Sequence, residues 1–131
     1  MNTTTVLAPV SIGELLDKIV ILEIKEERIS DEEKLINVRN ELQSLRSIRP
    51  AALTENAEVA PWEQSLREAN SELWDLEDRI RDKERDDDFG PEFVEIARLI
   101  YRTNDQRAHA KKMINVLCGS EIVEEKSYQP Y

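Results

Sequence analysis

Six apolar side chains, Trp62, Leu66, Ala69, Leu73, Leu76 and Ile80, recur in alternating steps of four and three without a miss. A helix of about 3.6 residues per turn places such a series on one side, whereas a strand would scatter it over two faces. Pro61 suits the first position of this helix because its missing N–H has no intrahelical partner to lose. Glu63 and Arg67, Asp75 and Arg79, and Glu77 and Arg81 add acid-before-arginine pairs at i,i+4, each worth ~0.3 kcal/mol on a wet face. One long amphipathic helix therefore anchors the reading.

The rest of the chain follows the same logic. Ser11 and Glu14 have the spacing of a capping box, with Val10 and Leu15 placed as a staple, so a first helix starts at Ile12. Its apolar residues, Ile12, Leu15, Leu16, Ile19, Val20, Ile21, Leu22 and Ile24, span too wide an arc for one buried side. That helix is expected near the centre. Ser30 and Glu33 suggest a second capping box ahead of Leu35, Val38, Leu42 and Leu45, and Pro50 ends the pattern. Residues 48–60 read as the one longer loop.

After Ile80, the run Asp86, Asp87, Asp88, Phe89 and Gly90 interrupts the periodicity, and Pro91 opens a fourth long helix that Gly119 stops. The expected architecture is all-α: about four long helices with short connections in one domain spanning residues 1–131. Residues 1–10 form an N-terminal extension and 120–131 a partly docked C-terminal tail. The composition agrees, since 40% apolar and 35% charged residues with only 3 glycines favour amphipathic helices over a turn-rich β protein.

Charge narrows the function classes. With 28 acidic and 18 basic residues the net charge is -10, a field that opposes phosphate backbones and anionic lipid headgroups, so no nucleic-acid partner is expected. No apolar run is long enough for a membrane span. Met1–Val10 lacks the charged and apolar regions of a secretion signal. The single Cys118 suits a reducing cytoplasm. Neither a metal nor a cofactor is expected: Asp86–Asp88 with Glu92 and Glu95 lack calcium-loop spacing and read as a solvated turn favouring the next helix's positive end. His109, the one histidine, has no nucleophile at useful spacing and reads as surface. Cys118 reads as a small buried apolar group, and Trp62 and Trp74 as packing or interface residues.

The informative exceptions are polar residues on apolar stripes. Glu23 and Glu26 fall within the apolar sector of the first helix, and the stripe Phe93, Ala97, Ile100 continues through Asn104, Arg107 and Lys111 before Ile114. Buried charges must pair, so Arg107 or Lys111 is expected against Glu23 or Glu26, with Asn104 completing the hydrogen bonds. The cluster is either an internal network that fixes helix register or a catalytic or binding centre, unless the two stripes simply reach solvent or a subunit interface; the non-catalytic readings are the simpler ones.

The segments VSIGELLDKIVILEIKEERI, KLINVRNEL, IYRTNDQR and GSEIVEEKSY resemble a functionally uncharacterised bacterial family of about this length. The resemblance implies a compact helical module, found in some bacteria near glycosyltransferase or repeat-protein segments, and it brings no catalytic residue. Its motif positions include Ser11, Gly13, Glu14, Asp17, Lys18, Glu23 and Lys25, then Arg102, Asn104, Asp105 and Arg107. With no complete catalytic constellation, a protein-interaction or ligand-binding module is favoured, self-associating through its helical seams or taking a protein partner or small anionic ligand. The alternative is a small helical enzyme on an anionic metabolite, mutase-like or nucleotide-pyrophosphohydrolase-like.

Overall fold

In the computed structural model, which describes residues 4–131, the chain forms helices α1 (Ile12–Arg28), α2 (Glu32–Ser47), α3 (Ala51–Glu55), α4 (Ala60–Arg85) and α5 (Pro91–Cys118). No strand occurs among the described residues. The loop expected over residues 48–60 holds the short α3 and a 3-10 turn at Ala57–Val59, because Leu53 and Val59 each have a core site to fill and local helical turns deliver them there.

α4 and α5 form a long antiparallel hairpin, and α1 lies in the groove between them while α2 packs on the opposite side of α1. This explains the wide apolar arc of α1. Leu16, Val20 and Ile24 meet Leu66 of α4 and Ala110 and Ile114 of α5, whereas Leu15, Ile19 and Leu22 meet Val38 and Leu42 of α2. The two sets turn to different sides of one central helix, each burying a separate apolar cluster.

Capping is partly as expected. Ser11 Oγ accepts from the Glu14 N–H at 3.0 Å, but the Glu14 carboxylate does not complete a capping box and turns to Lys111 of α5 instead. At α2 the cap is Asp31 rather than Ser30, its carboxylate accepting from the Lys34 N–H at 3.0 Å. An ionised oxygen held by a backbone N–H makes the stronger cap. Gly119 closes α5 in the left-handed conformation at φ 63°, a geometry that a Cβ would disfavour.

Beyond Gly119 the chain turns back along α5. Ser120 Oγ accepts from the Ile12 N–H at 3.1 Å, Ser11 Oγ donates to Glu124 at 2.8 Å, and Lys112 pairs with Glu125 at 3.0 Å. The Tyr131 hydroxyl donates to Asp105 at 2.6 Å, its ring edge-on to Tyr101. That hydrogen bond raises the Tyr131 pKa above its ordinary value. Side chains pin the tail although its residues from Glu121 onward are exposed.

α1 fills only part of its groove. A 17-residue helix is about 25 Å long, whereas α5, with 28 residues, extends about 42 Å. Arg28, the last residue of α1, reaches Asp75 of α4 at 2.6 Å, so the hairpin beyond that level projects past α1. Between residues 77 and 102 only Ile96 is buried, and Leu73 and Ile80 of the anchoring heptad are left half-buried.

Candidate functional site

Polar groups gather where α1 meets α5. The first-turn N–H groups of a helix have no internal acceptors. At α1 they are taken by Ser120 for Ile12, by Asn115 for Gly13 at 2.6 Å and by Ser11 for Glu14. Asn115 is almost fully buried, and its approach requires Gly13: a Cβ there would overlap the Lys111 carbonyl oxygen and lie 2.9 Å from Asn115 Oδ1. The missing side chain thus lets two backbones touch.

One turn further along α1, Asp17 is wholly buried. Arg107 donates to it through Nε, at 3.1 and 3.0 Å to the two oxygens, and through Nη2 at 2.5 Å. Asn70 of α4 donates a fourth contact at 2.8 Å. Three helices therefore converge on one carboxylate. The hydrogen bond to Asp17 holds the Arg107 pKa above its ordinary value against the opposing effect of burial. Beside this pair Lys111 meets Glu14 and, at 3.8 Å, Glu124 of the tail. No buried side-chain oxygen or nitrogen among the described residues lacks a partner.

The residues expected to meet are only partly brought together. Arg107, Lys111 and Asn104 do share the α1-facing side of α5, but their acidic partners are Asp17 and Glu14, not Glu23 and Glu26. The reason is angular: Glu23 lies six residues after Asp17, roughly 120° round the helix. It faces α2 and α4, where Arg46 reaches it at 2.7 Å and Arg67 at 2.9 Å. Partial burial pushes the Glu23 carboxyl up, but hydrogen bonds from the two arginines and their charges outweigh it and hold the carboxyl below its ordinary value. Glu26 makes only a loose surface contact, 3.7 Å from Arg39. Asp17 and Glu14 stand out in the sequence only as positions of the family resemblance and not as members of the cluster, and Asn70 and Asn115 do not stand out at all. A usable sign for Asp17 was present, since it shares a helical stripe with Gly13, Val20 and Ile24.

Above the Asp17–Arg107 pair, at the end of α1, lies an open cleft of about 420 Å³, walled by Ile21 and Lys25 of α1, Leu73 and Trp74 of α4, and Asn104 and Arg107 of α5. Arg28 stacks over the Trp74 ring at 5.7 Å. Arg107, which lines the cleft, spends Nε and one Nη2 proton on Asp17, and its Nη1 makes no hydrogen bond among the described residues. The arrangement holds a guanidinium rigid and offers donors to a carboxylate.

The other titratable candidates lie elsewhere. His109 is exposed, its ring edge-on to Trp62 at 5.4 Å. Cys118 is half-buried, and that burial pushes its thiol pKa up, away from the nucleophilic form. In the acidic turn Asp88 binds Lys83 at 3.1 Å, which lowers the pKa of the aspartate, and Glu92 at 2.9 Å together with Asp88 raises that of the lysine. Among the described residues no three His, Cys, Asp or Glu side chains form a metal-ligand group, and no helix is long and apolar enough to cross a membrane.

Comparison with curated proteins and with solved structures gives no match. A family model matches residues 7–131. That span includes the N-cap Ser11, the close contact at Gly13, the Asp17–Arg107 pair and the returning tail, and over this length the chain belongs to the family of unknown function DUF6165.

Proposed function

We propose that this chain is a non-enzymatic protein-interaction module, acting as one helical domain in a reducing cytoplasm, and that its docking surface is the part of the α4–α5 hairpin that α1 leaves uncovered. The observation carrying this reading is the apolar face of α5 at Phe93, Val94, Ala97, Ile100 and Tyr101. Val94 is 52% exposed, Tyr101 is 41% exposed with the Tyr131 ring of the tail against its edge, and the other three are half-buried. On the same helix the α1-facing side continues directly into this face, so the surface that buries α1 extends into solvent. Exposed apolar faces of this kind mark contacts with other chains.

The ionic groups support recognition rather than bond making. Asp17, Glu14, Arg107 and Lys111 are already paired with one another, and a paired, buried network fixes register. The geometry suits an amphipathic helix laid into the open half of the groove.

The test is a nuclear magnetic resonance titration with a short amphipathic peptide of leucine, alanine and lysine. Amide shifts should concentrate at residues 93–101, and Val94→Glu should abolish them with the fold intact. Shifts spread evenly over the surface, or absent from this face, overturn the reading.

A further inference from the structure

Resting on that reading, we infer that the occupant of the open face is a second copy of this chain, with the two α5 helices antiparallel and crossing at Ala97. Three observations converge on this arrangement. Ala97 is the small residue in the middle of the face, flanked by Phe93 and Ile100, and a small side chain at the crossing lets helices approach closely while larger ones interlock beside it. In an antiparallel pair centred on residue 97, position 93 lies opposite 101 and position 94 opposite 100, so every large apolar residue of the face meets another. Phe89, 53% exposed and edge-on to Phe93 at 5.2 Å, extends the apolar contact outward.

The third observation is charge. In the same register Pro91, the first residue of α5, lies opposite residue 103, so the acidic turn just before it is carried towards the cleft of the other copy. Asp88 is held by Lys83, but Asp86 and Asp87 form no ion pair among the described residues. Across the contact stand two cations that line the cleft, the partner's Arg107 and the partner's Lys25, the second of which has no acidic partner among the described residues. Unspent negative charge at the tip thus meets unspent donors at the mouth of the cleft, twice, as two-fold symmetry requires. A parallel pairing would set the acidic turns against each other.

Site-directed cross-linking separates the possibilities, using a short bismaleimide on single-cysteine variants in a Cys118→Ala background. Ala97→Cys should cross-link to itself. Phe93→Cys and Tyr101→Cys should each fail alone and link when mixed. Self-linking of Phe93→Cys instead would indicate the parallel arrangement and overturn the proposal. Sedimentation should show a concentration-dependent dimer that Asp87→Lys weakens about fivefold, the equivalent of two weak exposed ion pairs, one for each symmetry-related contact, and that adding Lys25→Glu restores. A strictly monomeric particle overturns the second-copy assignment, while peptide shifts at residues 93–101 in that same particle would leave the docking surface standing. Loss of both removes the interaction reading as well.

Discussion

Arg107 grips the buried carboxylate of Asp17 with two of its nitrogens, joining helices whose contributing residues lie 90 positions apart in the chain. Because Asn70 approaches the same carboxylate from α4, this one group ties α1 to both walls of its groove. The pair belongs to the packing of the molecule as much as to its surface chemistry.

Arg107→Ala should therefore destabilise the fold by roughly 3 to 5 kcal/mol, because it strands a charge that water does not reach. Arg107→Lys should recover only part of the loss, since an ammonium cannot reproduce the planar two-point contact. Asp17→Ala combined with Arg107→Ala should cost less than the sum of the single changes. Urea denaturation checks all three, and an unchanged midpoint for Arg107→Ala would reject the pairing.

Gly13→Ala tests the close approach of α1 to α5. The added methyl meets backbone at the Lys111 carbonyl, which cannot swing aside, so the helices must part and the Gly13 N–H bond to Asn115 must lengthen. Overpacking of this kind costs about 1–3 kcal/mol. Gly90→Ala is the control, because its Cβ meets only the Asp88 side chain at 3.3 Å. A fall in thermal midpoint confined to Gly13→Ala is the expected result.

Glu23 should contribute a pH-dependent term. Its folded carboxyl binds a proton less readily than the ordinary value of 4.5, so the stabilisation from Arg46 and Arg67 is full above that pH and is lost as pH falls through the lower folded value. Stability measured from neutral to acid pH should decline less steeply in Glu23→Gln than in the parent chain. Parallel curves would show that the two arginines do not hold this carboxylate in solution.

Local patterns made most of the helices readable. The Trp62–Ile80 heptad, the Ser11 cap, Pro91 and Gly119 each act through neighbours a few residues away; Ser11 and Pro91 stand at helix starts and Gly119 at a helix end, and α4 covers the whole heptad and runs on to Arg85. Ser30 misled because Asp31 beside it is the stronger cap, and residues 51–59 misled because their short turns are held by core sites that Leu53 and Val59 fill.

The ionic cluster shows where sequence stops. Periodicity alone determined that Arg107 and Lys111 stand on a face with apolar neighbours and that polar residues interrupt the arc of α1. Which acid meets which base depended on the register and rotation of two helices, set by Gly13 against the Lys111 backbone. A turn of roughly 120° about α1 separates Asp17 from Glu23. Only the packed structure, by bringing α1 closest to α5 at its one side-chain-free position, decided that Asp17 and Glu14 would take the bases and that Glu23 would bind arginines from α2 and α4.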